Sequence, residues 1–192
     1  MNILTTTPLP LQITAILLLG LTLGSFINVC IHRLPKNESI IAPRSYCQSC
    51  KTKISAWDNI PVISYLLLKG KCRQCTASIS LLYPIVEVST ALLLLTGFIQ
   101  FGMSMKFAIF CAIGPALLTV AIIDIKHKII PDTITLPGMI FGLVAGGYLV
   151  GLKESLLGLI SGGGIFLFSS EVYYRVRGRV GMGGGDIKFI AA

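Results

Sequence analysis

Long apolar runs, broken by polar segments of very unequal length, set the pattern of this chain. The first run covers 11–32, and four more cover 84–101, 106–123, 132–150 and 154–173. A helix that crosses a bilayer needs roughly 20 mostly apolar residues, so each run is a candidate span. A sixth begins near Asp186, and the chain stops six residues later, inside it. That ending reads as a helix cut short, in a chain truncated at its C-terminus. The first run is too long, and too polar at its end, for a signal peptide alone, and no small-residue cleavage site follows it. The pattern predicts an all-α polytopic membrane protein of about five to six transmembrane helices. One sizeable non-membrane segment, 33–83, lies between the first and second helices. No low-complexity tract and no internal repeat stands out.

Composition agrees: 54% of residues are hydrophobic and only 12% charged, against about 25% charged in soluble domains. A disordered chain is excluded, and an ordinary soluble globule is a poor fit. The net charge is +8. Eight basic residues lie in 33–83, two in 124–131 and four in 174–188, while Lys106 and Lys153 are alone on the opposite side. Five alternating spans place the three basic segments together, and the positive-inside rule puts them in the cytoplasm with the N-terminus outside. The basic excess is thereby explained by membrane topology, with no nucleic-acid partner.

Cys47-x2-Cys50 and Cys72-x2-Cys75 are separated by 21 residues, close to the spacing of four-thiolate zinc sites. Each pair forms a tight knuckle aiming two sulfurs at one point. The neighbouring Lys51, Lys53, Lys71 and Arg73 favour thiolate. A reducing compartment disfavours disulfides. A segment of about 50 residues has little core, so metal affinity would supply folding energy. Four thiolates leave no open coordination position, which makes the zinc structural. Cys30 and Cys111 lie inside spans and are read as small packing residues. The apolar stretch 57–68 in the same segment either lies on the membrane surface or forms a pocket wall.

Acidic residues number only eight, and ionisable groups at or within a membrane are costly, so each is a functional candidate. Asp124 closes the third span, where a negative charge opposes the helix dipole. Its simplest structural account is a salt bridge to Lys126 or Lys128. Asp132 follows Pro131 and is placed to cap the fourth helix. Asp186 follows a glycine run, 183–185, that lets a backbone come close. It too is placed as a helix cap. Asp124 ends a span going in and Asp186 begins one going out, so both lie at the cytoplasmic face and can meet. Two adjacent carboxylates hold one proton between them. That is an acid and a base for activating water on a peptide bond. A proton-coupled transporter could use the same pair. Glu87, one turn into the second span, either favours the helix N-terminus or serves a site.

These residues together resemble the prepilin leader peptidase family of type IV pilus and type II secretion systems. The resemblance rests on Leu23-Gly24-Ser25-Phe26-Ile27-Asn28-Val29-Cys30-Ile31-His32-Arg33-Leu34-Pro35, both Cys pairs and Asp58-Asn59-Ile60-Pro61. Tyr83-Pro84-Ile85-Val86-Glu87, Ile123-Asp124, Ile130-Pro131-Asp132 and the Gly-x-Gly-Asp ending at Asp186 complete it. It implies a bifunctional enzyme, an aspartic endopeptidase and an S-adenosylmethionine-dependent N-methyltransferase of the bacterial inner membrane. Its catalytic pair would be Asp124 and Asp186, supported by Asp132, Gly183 and Gly185. Region 24–87 would serve methylation, with Glu87 the candidate for cofactor binding, and 84–192 would be the peptidase region. Substrates would be prepilin and pseudopilin precursors with a short basic leader ending in Gly ahead of an apolar helix. Similar proteins continue through further spans after Gly-x-Gly-Asp. Outside the resemblance, a proton-coupled transporter and a non-enzymatic membrane scaffold carrying a zinc module are the competing readings.

Overall fold

The computed structural model describes residues 7–177. Six α-helices account for its regular structure: α1 (Leu9–Arg33), α2 (Ile63–Leu67), α3 (Leu82–Phe101), α4 (Met105–His127), α5 (Asp132–Leu149) and α6 (Leu152–Arg177). Short 3₁₀ turns stand at Leu34–Lys36 and Trp57–Asn59. Among the described residues the only β-type pairings are two isolated bridges. The five predicted spans correspond to the five long helices. Four of these, α1, α3, α4 and α5, are long and apolar enough to cross a membrane on the described residues. The sixth helix expected near Asp186 lies outside them.

The chain divides into two compact units, Met1–Thr119 and Val120–Ala192. In the first, α1 packs along α3. Glycines set how closely. A Cβ on Gly24 would lie 2.5 Å from the Glu87 Cα, and one on Gly20 would collide with the Ala91 backbone. Gly20-x3-Gly24 is therefore a small-residue notch of the kind that lets two helices touch backbone to backbone in lipid, where close contact replaces the hydrophobic effect. Below the notch, Ile16, Leu94, Phe98 and Phe107 form a buried cluster. Cys111 packs against that cluster and Cys30 is buried in α1, as expected of packing cysteines. Gly24→Val should separate α1 from α3 because backbone, not a flexible side chain, is in the way. We expect a loss of at least the ~1–3 kcal/mol typical of overpacking, read as a lower thermal midpoint in detergent. An unchanged midpoint would contradict the notch.

In the second unit α5 and α6 form a helical hairpin. Gly151, at φ 109°, makes the turn, and the Ser155 hydroxyl donates to the Leu143 carbonyl at 3.1 Å. A Cβ on Gly164 would meet open space.

Two helix ends differ from the sequence reading. α4 runs on to His127, so Asp124 lies inside its last turn, and Lys128 then takes the left-handed conformation with its N–H on the Asp124 carbonyl at 2.8 Å. Such a residue closes a helix by satisfying a late carbonyl. Asp132 is not the cap of α5: Pro131 holds that place, and Asp132 is the first helical residue. Proline's fixed φ and missing N–H suit it to a helix start. The Asp132 charge still lies in the first turn, where the dipole favours it.

A four-cysteine module and a buried carboxylate

The segment between α1 and α3 is organised by its cysteines. The Cys47 N–H donates to Thr52 O at 3.0 Å and the Lys51 N–H to Cys47 O at 2.9 Å. Twenty-five residues on, Cys72 N–H donates to Ala77 O at 2.9 Å and Thr76 N–H to Cys72 O at 3.0 Å. Lys51 and Thr76 both take positive φ. The flanks repeat too: Ile54 N–H reaches Ser45 O, and Ile79 N–H reaches Gly70 O. The two knuckles are thus one motif used twice, Cys-x2-Cys-x3-Ile. That repeat was readable in the chain at 47–54 and 72–79, once the trailing isoleucines are counted with the cysteines.

All four sulfurs lie within 4.8 Å of one another. Zinc–sulfur bonds of ~2.3 Å at tetrahedral angles put sulfurs about 3.8 Å apart, and Cys47 Sγ lies 3.8 Å from Cys75 Sγ. The donor set and spacing therefore fit a tetrahedral metal. Crowding divides the thiols. The Thr52 hydroxyl and amide pull Cys50 down to about 6, and the amides of Cys75 and Gln74 lower Cys72. At Cys75 the Ala77 amide also lowers, but desolvation and the three neighbouring sulfurs outweigh it and push the thiol up to about 11. A cation at the centre removes that conflict, since each thiolate then faces positive charge.

Charged side chains tie the module together. Arg73 grips Asp58 through both carboxylate oxygens, at 2.7 Å from Nη2 and 2.9 Å from Nε. Its guanidinium holds Asp58 below the usual carboxylate range. This fork joins the second knuckle to the Trp57–Asn59 turn. Arg73 was legible only as a cation beside thiolates; its partner 15 residues away carried no local signal. Arg33, buried at the end of α1, donates to the carbonyls of Ser39 at 2.9 Å and Pro43 at 2.8 Å and lies over the Tyr46 ring. It fastens the start of the module to the membrane helix.

Glu87 is buried on α3, and its carboxylate accepts the Val62 N–H at 2.7 Å, with Ser25 of α1 bonded to the same group. Val62 has φ 60° and ψ −49°, and the Ile63 N–H returns to Pro61 O at 2.6 Å. This is the rare, strained form of γ-turn, on a β-branched residue for which positive φ is a true outlier. Beside it Asn28 is buried, its Nδ2 donating to Tyr83 O at 3.0 Å while Oδ1 has no hydrogen-bond partner. Between α1 and the first knuckle opens a cavity of about 400 Å³, with Ser25, Phe26, Ile41, Arg44, Ile54 and Asn59 in its lining.

Asp124 is half-buried in α4, and among the described residues it forms no salt bridge, to Lys126 or Lys128 included. Its expected partner Asp186, with Gly183 and Gly185, lies outside the described residues. Cys47, Cys50, Cys72 and Cys75 are brought together as predicted.

A helical multi-pass membrane protein with a four-cysteine module set between its first two long helices is the class these features define. Residues 18–101 match the family described as the bacterial peptidase A24 N-terminal domain, and 111–192 match the type IV leader peptidase family. The chain is 35% identical to a prepilin leader peptidase/N-methyltransferase of Pseudomonas aeruginosa, covering 91% of this chain and 69% of that protein. A protein of the same name from Neisseria gonorrhoeae is 34% identical, covering 95% and 73%. No solved structure matches the chain. The chain belongs to the type IV leader peptidase family.

Proposed function

We propose that this protein is a membrane-embedded aspartic endopeptidase that removes the basic leader from type IV prepilin-like and pseudopilin precursors. It acts at the cytoplasmic face of the bacterial inner membrane and then N-methylates the new N-terminus. The observation that carries the reading is the match of both halves of the chain to this family, with relatives named for both activities. Asp124 and Asp186 are the catalytic pair. The ionised member polarises water, the protonated member bonds the scissile carbonyl, and the roles exchange as the amine leaves. Asp132, Gly183 and Gly185 support them, the glycines by letting a substrate strand approach. A transporter using the same aspartates would carry them on broken helices near the bilayer midplane; α4 instead runs unbroken to His127 with Asp124 in its last turn.

Cys47, Cys50, Cys72 and Cys75 hold one structural zinc. S-adenosylmethionine supplies the methyl group. The cavity between α1 and the first knuckle is its site, in the ~300–1,000 Å³ range of small-molecule pockets. There Phe26 and Ile41 offer an apolar bed and Arg44 a cation for the amino-acid carboxylate. Arg44→Ala should weaken binding of S-adenosylhomocysteine about 10-fold, measured by calorimetry on the purified protein in detergent, the loss expected for a charged hydrogen bond. Unchanged affinity would move the site elsewhere. The function as a whole is tested by incubating the protein with a prepilin precursor: cleavage after the leader glycine is expected, and an intact precursor would overturn it.

A further inference from the structure

The stretch 57–68 has an outward apolar face, and the depth at which it is held identifies what that face meets. In α2, Ile63, Leu66 and Leu67 recur at i, i+3 and i+4, on one side of the helix. They are 56%, 67% and 77% exposed. The other side turns inward: Ser64 bonds the Ile60 carbonyl at 2.6 Å, and Tyr65 reaches Ile79 O. Trp57, just ahead, is 80% exposed.

The depth follows from the bond between Val62 and Glu87. Glu87 lies five residues into α3, about 7.5 Å along its axis. Ser25, bonded to the same carboxylate, lies sixteen residues beyond Leu9 in α1, about 24 Å along it. The 25 residues of α1 span about 37 Å, against ~30 Å for a hydrocarbon core. Wherever that slab sits within α1, Ser25 falls inside it. The outward residues at this level, Ile85 and Val88, are themselves exposed and apolar, as lipid-facing residues are. The start of α2 is therefore anchored within one side chain's reach of the hydrocarbon, on the module side of the bilayer.

That depth also explains the γ-turn. Lipid offers no water to an unpaired N–H, and non-helical backbone at membrane depth persists only where protein satisfies it. Glu87 supplies the acceptor for Val62. The module also presents Lys51, Lys53, Lys69 and Lys71, all exposed, cations suited to anionic headgroups, and a tryptophan suits the boundary between headgroups and hydrocarbon.

We propose that 57–68 is a re-entrant membrane wedge, pinned by Glu87, whose Trp57, Ile63, Leu66 and Leu67 are seated in lipid. This seats the four-cysteine module on the bilayer surface rather than leaving it free in solvent.

Trp57 is the chain's single tryptophan, so its fluorescence reports the position directly. The full chain would be placed in vesicles of phosphatidylcholine and phosphatidylglycerol, some with lipids brominated at defined acyl carbons. Trp57 should be quenched by bromine near the headgroup and shielded from aqueous iodide. A second reporter, Leu67→Trp in a Trp57→Phe background, should be quenched by bromine set deeper. Glu87→Leu should lower the Leu67→Trp quenching at least twofold, whereas Glu87→Gln, which keeps an oxygen acceptor, should preserve it. Quenching of either reporter by iodide and not by bromine would overturn the proposal. So would shielding from both, which would mean that protein covers the face.

Discussion

Asp124→Asn is expected to reduce leader cleavage by at least about 10³-fold while leaving the protein folded, the scale seen when one member of a catalytic unit is lost. Asparagine keeps the size and polarity of the side chain but cannot carry the proton cycle. The position itself argues against a structural role. Asp124 lies in the last turn of α4, where the dipole disfavours its charge, and it has no salt bridge among the described residues. Asp186→Asn should lose as much, and the double variant should be little worse than either. Asp132→Asn is the comparison, expected to lose less cleavage than either, since its charge lies in a first helical turn where the dipole favours it. The measurement is precursor cleavage in membranes, with helicity followed by circular dichroism. Near-normal cleavage by either single variant would exclude the pair.

The double change Cys72→Ser, Cys75→Ser should remove the metal and unfold the module. Structural zinc supplies roughly 10–16 kcal/mol of apparent binding energy to such modules, more than a segment with so small a core can replace. Metal analysis should find about one zinc per wild-type chain and none in the variant. Protease should then cut within 38–81, a segment it spares in the wild type. Methylation should be lost with the module. Leader cleavage should survive, because Asp124 belongs to the second compact unit. Zinc retained in the variant would refute the four-thiolate site.

The spans and the convergence of the four cysteines were legible because each depends on a local rule. Twenty apolar residues must cross a bilayer, and two close cysteine pairs must converge. Helix ends were not legible to the residue. α4 continues four residues past its apolar run because helical backbone continues into the polar boundary until Lys128 turns left-handed. The link between Glu87 and Val62 had no signal at all. Valine is among the last residues expected at positive φ, and its partner lies 25 positions away on another helix. Only the carboxylate's cost in a span marked Glu87. Gly20-x3-Gly24 is a small-residue spacing visible in the chain, but nothing local to it names α3 as the partner. The meeting of Asp124 with Asp186 is the part of the site that stands on the sequence argument.

The glycine notch on α1 also bears on how the chain is made. Its partner α3 ends at Phe101, 68 residues after α1 ends at Arg33. At about 5–20 residues per second of synthesis, α1 waits roughly 3–14 s before that partner is complete. During this interval Gly20 and Gly24 face the bilayer as an unfilled groove. The order of translation thus makes the first helix a receptor for the third, with the intervening cysteine knuckles free to fold before the two helices close.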